Sequence, residues 1–307
     1  MIMKIDKKNG NVKYADNEHV YWDDDGKYIS VTTLIGEYCQ PFDGDFWSSY
    51  KALEKLLKKD DFKMEKKMLL ETKKINLKYY IDMYGITEND FNKAKQDILD
   101  QWQKENETAC ERGTKIHADL ENLFTSKKTT DLKRFGLGGK FTVNTNASLE
   151  DANLDILDIE QGVFPEYLIY RKSEDGILKV AGQVDLLIKD GNSIEIHDYK
   201  TNKKLDEKSY YNPQLKKYDM MKYPLNNLMD CNLMHYAMQL STYAWMVQKL
   251  NPNFIIRKLN IIHYDHQGNV TEHVLPYLKD EVERMLKDYK KSIILEKRKN
   301  ARKPIEF

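Results

Sequence analysis

Asp185, Asp198 and Lys200 lie in the stretch "AGQVDLLIKDGNSIEIHDYKTNK", residues 181 to 203, where two apolar runs flank a polar turn. If Asp190 to Ser193 close a hairpin, Lys189 faces Ile194, Leu187 faces Ile196, Asp185 faces Asp198 and Gln183 faces Lys200. These pairs share one face, because side chains of a strand repeat every second residue. A slip of one residue would send the two acids to opposite faces. Carboxylates about 4 Å apart repel by about 4 kcal/mol at an effective dielectric of about 20. Lys200 offsets one charge, whereas a divalent cation offsets both, and hard oxygen donors with open water positions suit Mg²⁺. Bound metal acidifies water and neutralises charge on a phosphoryl oxygen, and a neighbouring lysine can orient or deprotonate the attacking water. That chemistry is phosphodiester hydrolysis. The competing reading is a surface hairpin whose acids solvate its edge and whose lysine pairs with one of them.

Further candidates surround this hairpin. Gly113, His117 and Glu121 recur every four residues in "GTKIHADLE" and share one helix face, with Gly113 leaving room for another element. His117 is either a hydrogen-bonded core residue or a functional one. As a nitrogen ligand it would make Mn²⁺ a substitute for Mg²⁺. Glu166, in "FPEYLIY" on the preceding strand, is either an exposed strand glutamate or a further acid near the metal. His235, Gln239 and Tyr243 form another four-residue stripe, in which Gln239 and Tyr243 could brace Lys200 or touch a phosphate, or could simply be amphipathic.

Taken together these residues resemble the PD-(D/E)xK nuclease superfamily, within it the RecB-like and lambda-exonuclease-like branch. "GQVDLL" with "HDYKTNK" is similar to that branch's Gly-x-x-Asp and Asp-x-Lys pair. "GTKIHADLE" resembles its Gly-x-x-x-His and "QLSTYAW" its Gln-x-x-x-Tyr, all four in the expected order from Gly113 to Tyr243. More weakly, "ISVTTLI" and "FWSSYKALEK" resemble the N-terminal portion of phage and mitochondrial exonucleases of this group. The resemblance implies a restriction-endonuclease-like α/β core, a central mixed sheet flanked by helices. It implies metal ligation by Asp185, Asp198 and the Tyr199 carbonyl, with His117 as a further ligand or phosphate contact, Glu166 as a further acid, and Lys200 positioning the water. Thr201, Lys203, Gln239 and Tyr243 are the implied DNA-binding or bracing residues. The implied activity is Mg²⁺- or Mn²⁺-dependent hydrolysis of DNA, as an exonuclease in recombination, replication or end processing. The implied partners are DNA and a single-strand annealing or replication protein. Members of the superfamily that carry an iron–sulfur cluster use four cysteines, and this chain has three, so no cluster is expected. Two other functions stay open: a non-catalytic nucleic-acid-binding protein on the same fold, and an RNA endonuclease, since related viral enzymes also combine a helical histidine with aspartate and lysine.

The elements that must position these residues follow from patterning. At 307 residues the chain can bury a large core, and 49 basic against 49 acidic residues give no global field toward polyanions. Cys39, Cys110 and Cys231 lie far apart with no CxxC pair, which argues against a disulfide framework or a thiolate zinc site and fits a reducing cytoplasm, that of the bacterial host if phage-encoded. Neither a signal-peptide core nor a run of about 18 apolar residues is present. Residues 19–35 read as a hairpin turning at Asp24, Asp25 and Gly26, and residues 46–85 and 87–124 as two long helical stretches, the second capped by Thr87. Residues 126–160 read as an insertion or mobile loop. Strands are expected at 163–171, 177–189, 193–201, 254–264 and 270–275, with a helix at 231–250 and a basic helix and tail from Lys290 to Lys303. The expected division is 1–104, a hairpin and helical region packed on the core, and 105–307, the core. Lysine pairs at 58–59, 66–67, 73–74 and 203–204, interleaved with Phe46, Trp47, Tyr79 and Tyr80, could line a phosphate track with stacking aromatics.

Overall fold

The computed structural model describes residues 4–212 and 216–301, so Lys303 of the basic tail lies outside the described residues. Two compact units emerge: residues 1–40 with 115–307, and residues 41–114. The division therefore does not fall at residue 104. Residues 1–40 belong with the sheet because their strands pair into it.

In the larger unit, β1 (Lys7–Asn9), β2 (Val12–Ala15), β3 (Val20–Asp23) and β4 (Gly26–Ser30) form successive antiparallel hairpins. The expected turn at Asp24 and Asp25 is there, but the second strand stops early. Ser30 accepts a hydrogen bond from the Thr33 amide and caps α1 (Val31–Gly36), which buries Val31, Leu34 and Ile35 at helical spacing.

In the smaller unit, α2 (Gly44–Leu56), α3 (Lys59–Thr72), α4 (Leu77–Tyr84) and the first part of α5 (Glu88–Thr125) bury Phe46, Tyr50, Leu53, Leu69 and Tyr80. Thr87 caps α5 by accepting from the Asp90 amide at 3.0 Å. The aromatics expected to stack on bases are structural instead. Phe46 and Tyr80 are buried, the Tyr79, Tyr80 and Tyr84 hydroxyls donate to Glu65, and Lys73 sits 4.1 Å over the Trp47 ring.

Residues 126–160 are ordered in regular elements rather than a loop. β5 (Thr129–Asp131) and β6 (Lys140–Val143) extend the sheet, and α6 (Asn146–Ala152) follows, capped by Thr145. Short 3-10 turns occupy Lys133–Phe135 and Ile156–Asp158.

The centre of the sheet is β7 (Gln161–Lys172), β8 (Lys179–Asp190) and β9 (Ser193–Lys200). Gly191 takes a positive φ of 57°, as the first residue of a two-residue hairpin turn requires, and the ladder runs Lys189–Ile194, Leu187–Ile196, Leu186–His197. After β10 (Tyr211–Asn212) and β11 (Lys217–Tyr218), α7 (Asn232–Leu250) crosses back to β12 (Ile255–Tyr264), which pairs parallel with β9. β13 (Val270–Val274) and α8 (Lys279–Ala301) complete the described chain.

The fold is a mixed α/β layer structure around this sheet. On one face α1, α7 and α8 bury Leu187, Ile194 and Ile196, and on the other Leu120 and Phe124 of α5 cover Leu186, Ile188 and Tyr199. One irregularity positions the site. On its edge away from β7, β8 pairs with β4 at Val180 and Ala181 and with β9 from Leu186 onward, so that edge opens between them.

Candidate active site

Asp185 sits where β8 and β9 part. The ladder ends at Leu186–His197, and the Asp185 carboxylate takes the next hydrogen bond itself, accepting from the Tyr199 amide at 2.7 Å. The expected register therefore holds as far as Leu186, and Asp185 is turned out of the ladder rather than paired across it with Asp198.

The neighbouring strand changes face at the same level. Glu166 of β7 has a φ of +49°, a left-handed conformation that costs on the order of 1 kcal/mol for a side-chain-bearing residue. Phe164 and Tyr167, three residues apart rather than two or four, consequently face the same core, as do Val184 and Leu187 opposite them. Glu166 and Asp185 occupy the skipped positions. Gln183 donates to Glu166 instead of lying beside Lys200, a correction to the pairing expected from strict alternation.

His117 of α5 closes this group. Its Nδ1 lies 3.6 Å from Asp185 Oδ2 and 3.9 Å from Glu166 Oε1, while its Nε2 lies 3.0 Å from the Tyr199 carbonyl oxygen. The donor atoms of His117, Glu166 and Asp185 all fall within 4.8 Å of one another. Lys7 of β1 reaches Glu166 at 3.4 Å. A cavity of about 370 Å³ opens beside Glu166 and is also lined by Lys7, Lys8, Glu121, Asn146 and Pro165.

Asp198 stands outside this converging set. It is buried, pairs with Lys200 at 2.5 Å and accepts from Gln239 Nε2 at 3.2 Å. The Lys200 ammonium lies 4.7 Å over the Tyr236 ring. Gln239 also contacts the Tyr243 hydroxyl at 3.3 Å, so the α7 stripe braces Asp198 while Tyr236 supports Lys200. Gly182 makes room for this: a Cβ there would lie 2.6 Å from the Tyr243 ring. His235, on the same helix, faces Asp230 and Cys39 instead. Thr201 is half-buried and Lys203 exposed just beyond the end of β9.

Proton affinities follow from this crowding. Burial, and then the Asp198 charge, push the Asp185 carboxyl well above the ordinary carboxylate range. For Glu166 burial acts upward too, but His117 and Lys7 outweigh it and hold the group below its usual value. Burial would depress His117, yet its hydrogen bond to Glu166 and the charges of Asp185 and Asp198 lift the imidazole to about 9. Lys200 is likewise lifted by Asp198 and Asp185 against its burial, so its ammonium stays charged. The His117 Nδ1 and the Glu166 and Asp185 carboxylates form a converging donor set that fits a hard divalent cation, while the Tyr199 carbonyl sits at the opposite ring nitrogen of His117.

A family model described as the PD-(D/E)XK nuclease superfamily matches residues 90–293. The chain belongs to this superfamily. No curated protein matches it. Among solved structures, that of SSO0001 shares 18% identity with a TM-score of 0.27, covering 43% of this chain and 50% of that one. The chain thus spans half the length of SSO0001. A protein from Eubacterium rectale, named only as a candidate exonuclease, shares 12% identity with a TM-score of 0.28 over 91% of this chain and 70% of its own.

For this nuclease-superfamily chain, Lys7 and Tyr236 are the neighbours that sequence reading missed. Lys7 belongs to a three-residue strand that only tertiary pairing brings to Glu166, and nothing local marks it. Tyr236 had a signal: it lies one helical turn before Gln239 and Leu240 on a helix already under suspicion.

Proposed function

We propose that this protein is a divalent-metal-dependent deoxyribonuclease, an exonuclease working in DNA recombination, replication or end processing. The observation that carries the reading is the convergence of His117, Glu166 and Asp185 at the opening between β8 and β9, beside a buried Asp198–Lys200 pair. His117, Glu166 and Asp185, with the Tyr199 carbonyl and Asp198 at the margin, are the residues that would hold Mg²⁺ or Mn²⁺. When bound, such an ion supplies charge neutralisation at the scissile phosphate and a more acidic water. Lys200, held as an ammonium, orients the attacking water and offsets charge on the phosphoryl oxygens rather than accepting a proton. Gln239 fixes the Asp198 carboxylate through one oxygen and leaves the other to Lys200. Thr201 and Lys203, at the end of β9, are assigned to the DNA backbone, and a single-strand annealing or replication protein is the proposed partner.

Linear DNA labelled at either end, a closed circle and an RNA of the same sequence, each incubated with and without Mg²⁺ or Mn²⁺, test this reading. The expected result is cation-dependent loss of linear DNA, with a fall of at least 100-fold in Asp198→Ala and Lys200→Ala protein, the scale of losing one preorganised charge contact. Degradation unchanged in those variants, or salt-sensitive binding without turnover, would overturn it.

A further inference from the structure

A second group of donors converges away from the candidate active site. Cys39, just after α1, Asp230, just before α7, and His235, in its first turn, bring a thiol, a carboxylate and an imidazole nitrogen within 4.8 Å of one another. Cys39 Sγ lies 3.3 Å and Asp230 Oδ1 2.6 Å from the same atom, His235 Nε2. In an acid–base relay the thiol and the carboxylate engage different ring nitrogens. Here both meet one nitrogen, so the three groups surround a point instead of passing a proton along a line.

We propose that Cys39, Asp230 and His235 form a site for a thiophilic divalent transition metal of the zinc class, separate from the hard-cation donors of His117, Glu166 and Asp185. Sulfur, nitrogen and oxygen from three side chains match the preferences of such an ion, with bonds of about 2.3 Å to sulfur and about 2.0 Å to nitrogen and oxygen. Those bonds put tetrahedral donor pairs roughly 3.3–3.6 Å apart. The thiol–imidazole separation already satisfies this, and the Asp230–His235 hydrogen bond must open by under about 1 Å. The second Asp230 oxygen accepts from the Gln40 amide at 2.6 Å, which orients the carboxylate independently of the metal. A cleft of about 470 Å³, lined by Asp206, Ser209, Asp230 and His235, gives access for a water as the fourth ligand. On binding, the thiol proton leaves to solvent and the thiolate donates its electron pair, with no change of oxidation state. The ion ties the segment after α1 to the first turn of α7, one turn before Gln239, which holds Asp198.

Cobalt(II) titration of the full chain reads this site directly, because a thiolate ligand gives a near-ultraviolet charge-transfer band and tetrahedral geometry gives intense visible bands. One equivalent of Co²⁺ produces both bands. Zn²⁺ abolishes them and Mg²⁺ does not. Cys39→Ser eliminates the charge-transfer band, and His235→Gln weakens Co²⁺ binding at least tenfold, while Asp185→Asn retains both bands. Absence of a thiolate band in the unaltered protein, or its survival in Cys39→Ser, overturns the site. Should Cys39→Ser not fold by circular dichroism, His235→Gln decides, and unchanged Co²⁺ affinity there overturns it.

Discussion

At the scale of single residues, Glu166 carries the most consequence for its size. It is the one acid of the converging set held below its ordinary pKa, and it does so by sharing His117's proton and Lys7's charge. Replacing it with glutamine keeps the shape and removes the charge. In Glu166→Gln protein the His117 imidazole is expected to titrate well below the value of about 9 that the intact cluster imposes. NMR titration of the histidine ring protons checks this, and the same variant is expected to bind Mn²⁺ at least tenfold more weakly, on the scale of losing one oriented donor. An imidazole still titrating near 9 would show that Glu166 does not set its charge. Asp185, Asp198 and Lys200 stood out as candidates because they are charges set at short spacings in apolar runs, and His117 because it recurs with Gly113 and Glu121 on one helix face. The placement of Gln183 was not, because strict alternation cannot foresee a left-handed residue in the middle of the neighbouring strand.

At the scale of elements, α7 and β8 are fitted to each other through Gly182. An alanine there would drive its Cβ to within 2.6 Å of the Tyr243 ring, and ring displacement would disturb the Gln239 hydrogen bond to Asp198. Gly182→Ala is expected to cost about 1–3 kcal/mol, the usual penalty of overpacking. In a cycle with Tyr243→Leu the two losses should be less than additive, as measured by chemical denaturation. Full additivity would mean that the glycine serves some other purpose. Ser30 is a second test, since removing its cap on α1 through Ser30→Ala should cost about 1 kcal/mol. The central hairpin was legible because Val, Ile and Leu alternate around a Gly-Asn turn. α1 was hidden by its β-branched Val-Thr-Thr start, and β5 and β6 were too short, at three and four residues, to show a period.

At the scale of the whole molecule, patterning revealed a helical region and strands flanked by helices, and the family resemblance implied the mixed sheet, but neither showed where the units divide. α5 runs from Glu88 to Thr125 without a break in composition, while the unit boundary falls within it at residue 114. Stability, by contrast, is a global property that the site should control. His117 is raised from an ordinary value near 6.5 to about 9, so its stabilising contribution is complete below about 6.5 and is lost as pH rises through 9. Asp185 is also raised, and its contribution likewise fades with rising pH. Glu166 has the opposite sign, but its window lies at acid pH, where a lowered carboxylate loses its contribution as pH falls. Between pH 6.5 and 9 the metal-free protein should therefore lose roughly 2 kcal/mol through His117, allowing for its partial exposure. A divalent cation takes the place of these protons, so its stabilising effect should grow over the same interval. Thermal unfolding in chelator and in Mn²⁺ at both pH values tests this, with His117→Ala as the control that removes most of the slope. A larger metal-induced rise in Tm at pH 6.5 than at pH 9 would mean that the cation does not compete for the protons of His117 and Asp185.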